Sequence, residues 1–239
     1  MFASIRYKQP KKDNYVKEEI TKYYNDLAKD YDIDRFNNSY GQFIHKQEDE
    51  ILKKYLNEKE TEFNLDIACG TGRFLKYADY GIDMSEEMVK VSQNKYPLKK
   101  ISIEDAEALS FQDSFFDNVF SFHLFMHLKV NDLKKILLEV NRVLKKGGYF
   151  IFDIPSEKRR KLTGYKHTTW HGGNQISVNL LKELTNSEWE LVSFYGVAFF
   201  PIHLLPKKLR KIIVRFDSFM CQSFFKEYSS HLIFILRKK

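Results

Sequence analysis

Residues 64–72 run Asn-Leu-Asp-Ile-Ala-Cys-Gly-Thr-Gly, an apolar stretch that ends in a tight glycine turn. Gly81-Ile82-Asp83 then gives a second short apolar run closed by an acid. A glycine loop at the end of one strand and a carboxylate at the end of the next is how an α/β sheet holds a nucleoside. Gly70 and Gly72 let the backbone turn sharply and approach a ligand that any Cβ would push away. Asp83 can accept two hydrogen bonds from a ribose diol. The carboxylate stands only 13 residues after Gly70, where a dinucleotide fingerprint spaces the acid about 20 residues on. A two-turn helix over 72–77, feeding a strand near 79–82, fits that interval.

Around this pair the chain alternates. Residues 1–14 are polar and basic and are expected to be disordered. Residues 15–60 have helical periodicity, broken near Asn37-Asn38-Ser39-Tyr40-Gly41. Ile20, Tyr23, Tyr24 and Leu27 form one apolar face, and Phe43, Ile44, Ile51, Leu52 and Leu56 form another. Strands are expected at 62–68, 101–103, 117–122 and 149–154. Helices are expected at 86–95, capped by Ser85, and at 131–144, where Lys145, Lys146 and Gly147 read as a helix end. Residues 155–175 read as an irregular polar loop. A helix at 177–185 and strands at 189–195 and 231–237 complete the pattern, with an insertion at about 197–228. The division is a helical cap (15–60), a cofactor-binding half (61–154) and a substrate-side half (155–239), all in one domain.

Five segments in this order resemble the motifs of class I S-adenosylmethionine-dependent methyltransferases, small-molecule branch. They are Leu65–Gly72, Gly81–Met88, Asp105–Phe111, Phe116–Ser121 and Glu139–Gly148. The resemblance implies a Rossmann-like, doubly wound seven-stranded sheet, mostly parallel with one antiparallel strand, in the order 3-2-1-4-5-7-6. It also implies S-adenosyl-L-methionine as cofactor and S-adenosyl-L-homocysteine as product. Carried onto this chain, cofactor contacts fall on Asp66, Ala68, Gly70 and Gly72, on Asp83, Met84 and Met88, and on Asp105, Ala106 and Ser121. His127 stands where this class often has a histidine, and a base and a cap for the following turn remain alternatives. His123 is a second candidate. Tyr31 and Tyr24 belong to a segment resembling a Tyr-Asp element that leads many small-molecule methyltransferases; otherwise they are packing aromatics.

Charge bears on the acceptor. Net charge is +7, yet residues 1–154 carry 24 Lys/Arg against 26 Asp/Glu, and residues 155–239 carry 15 against 6. A basic second half suits an anionic partner such as a phosphorylated or nucleotide-linked metabolite, or else is a solvated face. Arg159, Arg160, His167, Trp170 and His171 are the acceptor-side candidates, arginine because it grips anions through two parallel bonds. His167 and His171 could pose as a metal pair, but the glycines after them and the lack of a nearby carboxylate argue for no metal. Two cysteines, Cys69 and Cys221, cannot frame a disulfide fold, and Cys69 reads as packing under the glycine turn. With no signal peptide and no apolar span, the reading is a cytoplasmic monomer or homodimer. A tRNA-modifying enzyme, a membrane-associated quinone or lipid methyltransferase using Phe199–Phe216, and an inactive cofactor-binding partner subunit stay open.

Overall fold

The computed structural model describes residues 14–56, 62–166, 173–185 and 187–239. The disorder expected for residues 1–14 lies outside the described residues except at Asn14, which opens a helix. Three helices come first: α1 (Asn14–Leu27), α2 (Tyr31–Phe36) and α3 (Ser39–Tyr55). Asn38 caps α3 by accepting from the backbone of Tyr40 and Gly41, so the break expected at 37–41 is a helix start.

The sheet contains β1 (Asn64–Ile67), β2 (Tyr80–Asp83), β3 (Lys100–Ile103), β4 (Phe116–Ser121), β5 (Leu144–Pro155), β6 (Trp189–Val197) and β7 (His231–Lys238). Their spatial order is 3-2-1-4-5-7-6. β7 is antiparallel to both neighbours and every other pairing is parallel, as the family resemblance implied. α4 (Glu86–Lys95) and α5 (Val130–Val143) return the chain between strands, followed by α6 (Glu157–Thr163), α7 (Val178–Thr185) and α8 (Lys207–Gln222). On one face of the sheet α5 inserts Leu133, Ile136, Leu137, Val140 and Val143, beside Leu181 of α7. On the other, Phe43, Ile44, Ile51 and Leu52 of α3 pack with Phe74, Leu75 and Tyr77.

Three local expectations are corrected. The helix expected over 72–77 is a tight turn followed by a single 3₁₀ turn, Leu75–Tyr77. α3 lies where such a helix would pack: Tyr77 Oη donates to Asp49 Oδ1 at 2.8 Å, and Arg73 and Lys76 pair with Glu48 and Asp49. A six-residue helix repays little of its nucleation cost by itself, and here α3 already provides partners for these side chains. Second, Gly147 is no helix cap. α5 stops at Val143, Leu144 is already extended, and Gly147 (φ +83°) bends the start of β5, whose register with β4 shifts between Phe116 and Asn118. Gly148 follows because a Cβ there would lie 2.3 Å from Asp117 O. Third, Glu157–Thr163, expected as loop, is α6. Ser156 caps it by accepting from Arg159 N at 3.1 Å, and Gly164 closes it in the left-handed region.

Candidate active site

Parallel strands send all their following loops to one edge, and here those loops share a cavity. Its wall is Ala68 and Gly70 after β1, Asp83, Met84 and Ser85 after β2, and Glu104–Glu107 after β3. Phe122, His123, Leu124, His127 and Leu128 follow from β4. The roof is α1, through Lys17, Ile20, Thr21 and Tyr24, with Tyr31 of α2. This explains why the apolar face of α1 is only half-buried: it covers a cavity instead of a core.

At the β1–β2 end the geometry rests on backbone. Asp83 Oδ2 accepts from Gly70 N at 2.8 Å and Oδ1 from Ser85 N at 2.8 Å, so one carboxylate ties two loops together. Burial pushes its carboxyl up, against the pull of those N–H groups. Each oxygen keeps a second lone pair, so the buried acid can still accept from a ligand diol. Ser85 Oγ accepts from Met88 N at 3.2 Å, which starts α4 and brings Met88 to the wall. Gly70 (φ +54°) lines the cavity and has only Met88 Sδ, at 4.0 Å, near a built Cβ. Ala68 takes the same left-handed conformation (φ +57°) without glycine's freedom. At Gly72 (φ +86°) a Cβ would also stand 3.0 Å from the Tyr96 ring and 3.1 Å from Leu75, so packing requires glycine there as well. Cys69 is buried, with Sγ against the space a Gly81 side chain would need.

The cap is fastened over this end by polar contacts. Lys17 Nζ bonds Asp105 at 2.8 Å and Glu107 at 2.7 Å. Asn25 Oδ1 accepts from Ser85 Oγ at 2.6 Å, and Asp32 accepts from Thr71 Oγ1 at 2.5 Å and pairs with Lys95. Asp66 and Ser121 are buried at their strand ends and are not among the lining residues. Burial lifts the Asp66 carboxyl well above its usual range, and Ser121 Oγ has no hydrogen-bond partner among the described residues.

The β4–β5 end is built from side chains that meet across long sequence distances. Tyr24 Oη lies 2.8 Å from His127 Nε2, with Tyr24 edge-on to Tyr31 at 6.0 Å between ring centres. Burial raises the Tyr24 hydroxyl pKa well above its ordinary value. His123 sits in the left-handed region (φ +64°), held there by its N–H to Asp153 Oδ1 at 2.5 Å. Its Nε2 is 2.9 Å from Glu48 Oε1, and Arg73 binds the other oxygen of Glu48. Burial would neutralise both groups. For Glu48 the Arg73 and His123 charges win and hold its carboxyl down at about 2; for His123 the Glu48 and Asp153 charges win and raise it. The donor atoms of Glu48, His123 and Asp153 lie within 4.8 Å of one another, and Arg73 already supplies a cation to Glu48. Glu48, Arg73 and Asp153 were missed in the sequence; 25 and 75 residues separate Glu48 from its two partners and no local pattern links them.

The acceptor-side arginines are elsewhere. Arg160 Nη1 donates to Asn174 O at 2.8 Å with its guanidinium over Tyr165, and Arg159 reaches Tyr228 O at 3.5 Å. Neither lines the cavity. His167, Trp170 and His171 lie outside the described residues. Among the described residues no helix is long and apolar enough to cross a membrane.

This sheet order, with its glycine loop and strand-end acid around one cavity, defines a Rossmann-like nucleoside-binding fold. Residues 65–152 match the methyltransferase domain family model, and the chain belongs to the class I S-adenosylmethionine-dependent methyltransferases. An uncharacterized protein of Methanocaldococcus jannaschii is 42% identical over 137 residues, covering 56% of this chain and 51% of its own. A demethylmenaquinone methyltransferase of Renibacterium salmoninarum is 33% identical over 141 residues, covering 56% and 57%. The chain thus spans about half the length of these relatives. A Thermotoga maritima structure described as a possible histamine N-methyltransferase superposes with TM-score 0.65 over 94% of this chain and 99% of that one, at 21% identity, a likeness of fold.

Proposed function

We propose that this chain transfers a methyl group from S-adenosylmethionine to an oxygen, or second to a nitrogen, of a small and largely apolar acceptor. The observation that carries the reading is the single cavity joining the Asp83-tied loops to two histidines and two tyrosines. The cofactor, when bound, supplies a methyl group already activated as an electrophile by its sulfonium. The protein's part is alignment and proton handling. Asp83 would accept from the ribose diol, Asp105 with the Ala106 backbone would meet the adenine edge, and Met84 and Met88 would flank it. Asp66 and Ser121, at the ends of β1 and β4, are assigned to the methionine moiety. The open space around Gly70 and the unfilled lone pairs of Asp83 fit such a group.

At the other end, His127 takes the acceptor's proton, with Tyr24 holding its ring and Tyr31 packed edge-on behind Tyr24. His123, its pKa raised by Glu48, would donate to the acceptor oxygen as that oxygen gives its proton to His127, before the O–CH₃ bond forms and S-adenosylhomocysteine leaves. Substrate charge is revised from the anionic metabolite that composition favoured. Lys17 is the one Lys or Arg among the described lining residues, and two acids occupy it. Phe122, Leu124 and Leu128 suit an apolar or aromatic body, and the relative named for demethylmenaquinone supports the same class. Label transfer from methyl-labelled S-adenosylmethionine tests this: neutral phenols and quinols should be labelled in preference to sugar phosphates and transfer RNA. Preferential labelling of the phosphorylated or RNA acceptors would overturn the acceptor class.

A further inference from the structure

α8 carries five of the fifteen Lys and Arg residues of the basic half. α8 reads Lys207-Lys208-Leu209-Arg210-Lys211-Ile212-Ile213-Val214-Arg215-Phe216-Asp217-Ser218-Phe219-Met220-Cys221-Gln222, five cations against one acid. Its inner face is committed. Ile213 and Val214 pack against the core, and buried Asp217 accepts from Gln47 Nε2 at 2.9 Å and from Phe200 N at 2.7 Å. The outer face is apolar as well. Ile212 is 70% exposed, Phe216 56% and Phe219 65%, at helical spacing, with exposed Arg215 among them. Just past the helix Phe224 is 94% exposed. A helix needs one apolar stripe to pack on its own sheet; a second, facing outward, is a contact surface.

We infer that the outer face of α8, continued by Phe224 and Phe225, docks the protein on an anionic lipid bilayer surface. An apolar stripe with Arg215 set in it, on a helix whose sequence carries four further cations, is the pattern of a helix lying in the headgroup plane, with Arg215 reaching to lipid phosphates. A second copy of the same face fits less well, since it would bring two sets of these cations together. The topology places the surface usefully. Val197, His231 and Pro155 are aligned in register, so residues 198–230 leave and return at the carboxyl edge of the sheet. That is the edge carrying the cavity, and Gln47, which anchors α8, is the neighbour of Glu48. The cavity and the docking segment thus share the carboxyl edge of the sheet, and a docked protein would stand at the bilayer, where an apolar acceptor resides. The inference stands on surface geometry and deepens the acceptor class proposed above.

Flotation of the full chain tests it without turnover. Vesicles of phosphatidylcholine with phosphatidylglycerol should carry the protein up, and phosphatidylcholine alone should carry at least about tenfold less. Ile212→Ser/Phe219→Ser should lose about tenfold of the anionic-vesicle binding while keeping its circular dichroism and its affinity for S-adenosylhomocysteine. Absence of wild-type flotation at low salt, or equal flotation of the double variant, overturns the proposal. So does a concentration-dependent dimer that the double variant dissolves, or RNA binding that displaces the vesicles. Failure of the acceptor assay with intact vesicle binding would instead refute the acceptor class alone.

Discussion

The two ends of the cavity are made differently. At the cofactor end, a carboxylate and glycine-bearing loops are tied through backbone N–H groups, between residues 13 and two positions apart. At the acceptor end, Tyr24 meets His127 across 103 residues and Glu48 meets His123 across 75. The first kind of site depends on strand-end geometry, which many sequences can share. The second depends on long-range pairs between cap side chains and the loop after β4. At the first end the cap only clamps loops already tied by their own backbone, through Lys17, Asn25 and Asp32. One fold can thus keep its cofactor and change its acceptor.

Substitutions on opposite ends should therefore separate turnover from cofactor binding. His127→Ala should lower turnover by roughly 10²–10⁴-fold, the usual contribution of a positioned base, with S-adenosylhomocysteine affinity nearly unchanged. Full activity would remove it as the base. Asp83→Ala removes two charge-assisted backbone bonds and the proposed diol acceptor, so calorimetry should show affinity reduced by more than about tenfold.

Glu48→Gln sharpens the acceptor end through pH. The Glu48 charge raises the His123 pKa, so His123 stays protonated to a pH above its ordinary 6.5. If the cation is needed, activity falls on the alkaline side as pH passes that raised value, and the Gln variant moves this limb to lower pH. An unmoved limb would show that His123 only packs. Stability gives a second readout. Glu48 has its carboxyl depressed to about 2, so its contribution is present above about 4.5 and lost as acid titrates it toward 2. The Gln variant should lose that part of the acid dependence. The smallest effect is expected at Ala68→Gly. The left-handed backbone costs about 1–2 kcal/mol with a Cβ, and glycine returns about 0.5–1 of that as lost chain entropy. Thermal unfolding should show a gain of about 0.5 kcal/mol.

The same contrast explains what could be read in advance. The Ser85 cap and the Asp83 position follow from short-range patterns, and the strand order is the one the family resemblance implied. The helix after β1 failed because α3, some 20–30 residues earlier, occupies its place and its hydrogen-bond partners. Gly147 looked like a cap since Lys-Lys-Gly after an apolar helix is locally right for one; only the pairing of β5 with β4 shows a bend in a strand. Arg159 and Arg160 were drawn toward the acceptor by their charge, yet α6 points them at backbone carbonyls of neighbouring segments. Glu48, Arg73 and Asp153 left no trace, because an ion-pair chain between distant elements has no sequence period.

Calorimetric titration of S-adenosylhomocysteine into the wild type, Asp83→Ala and His127→Ala tests the division between the two ends most directly. Saturable binding by the wild type and the histidine variant, with a more than tenfold loss confined to the aspartate variant, is the predicted result. No heat from the wild type, or a loss of affinity that follows His127 and spares Asp83, would contradict it.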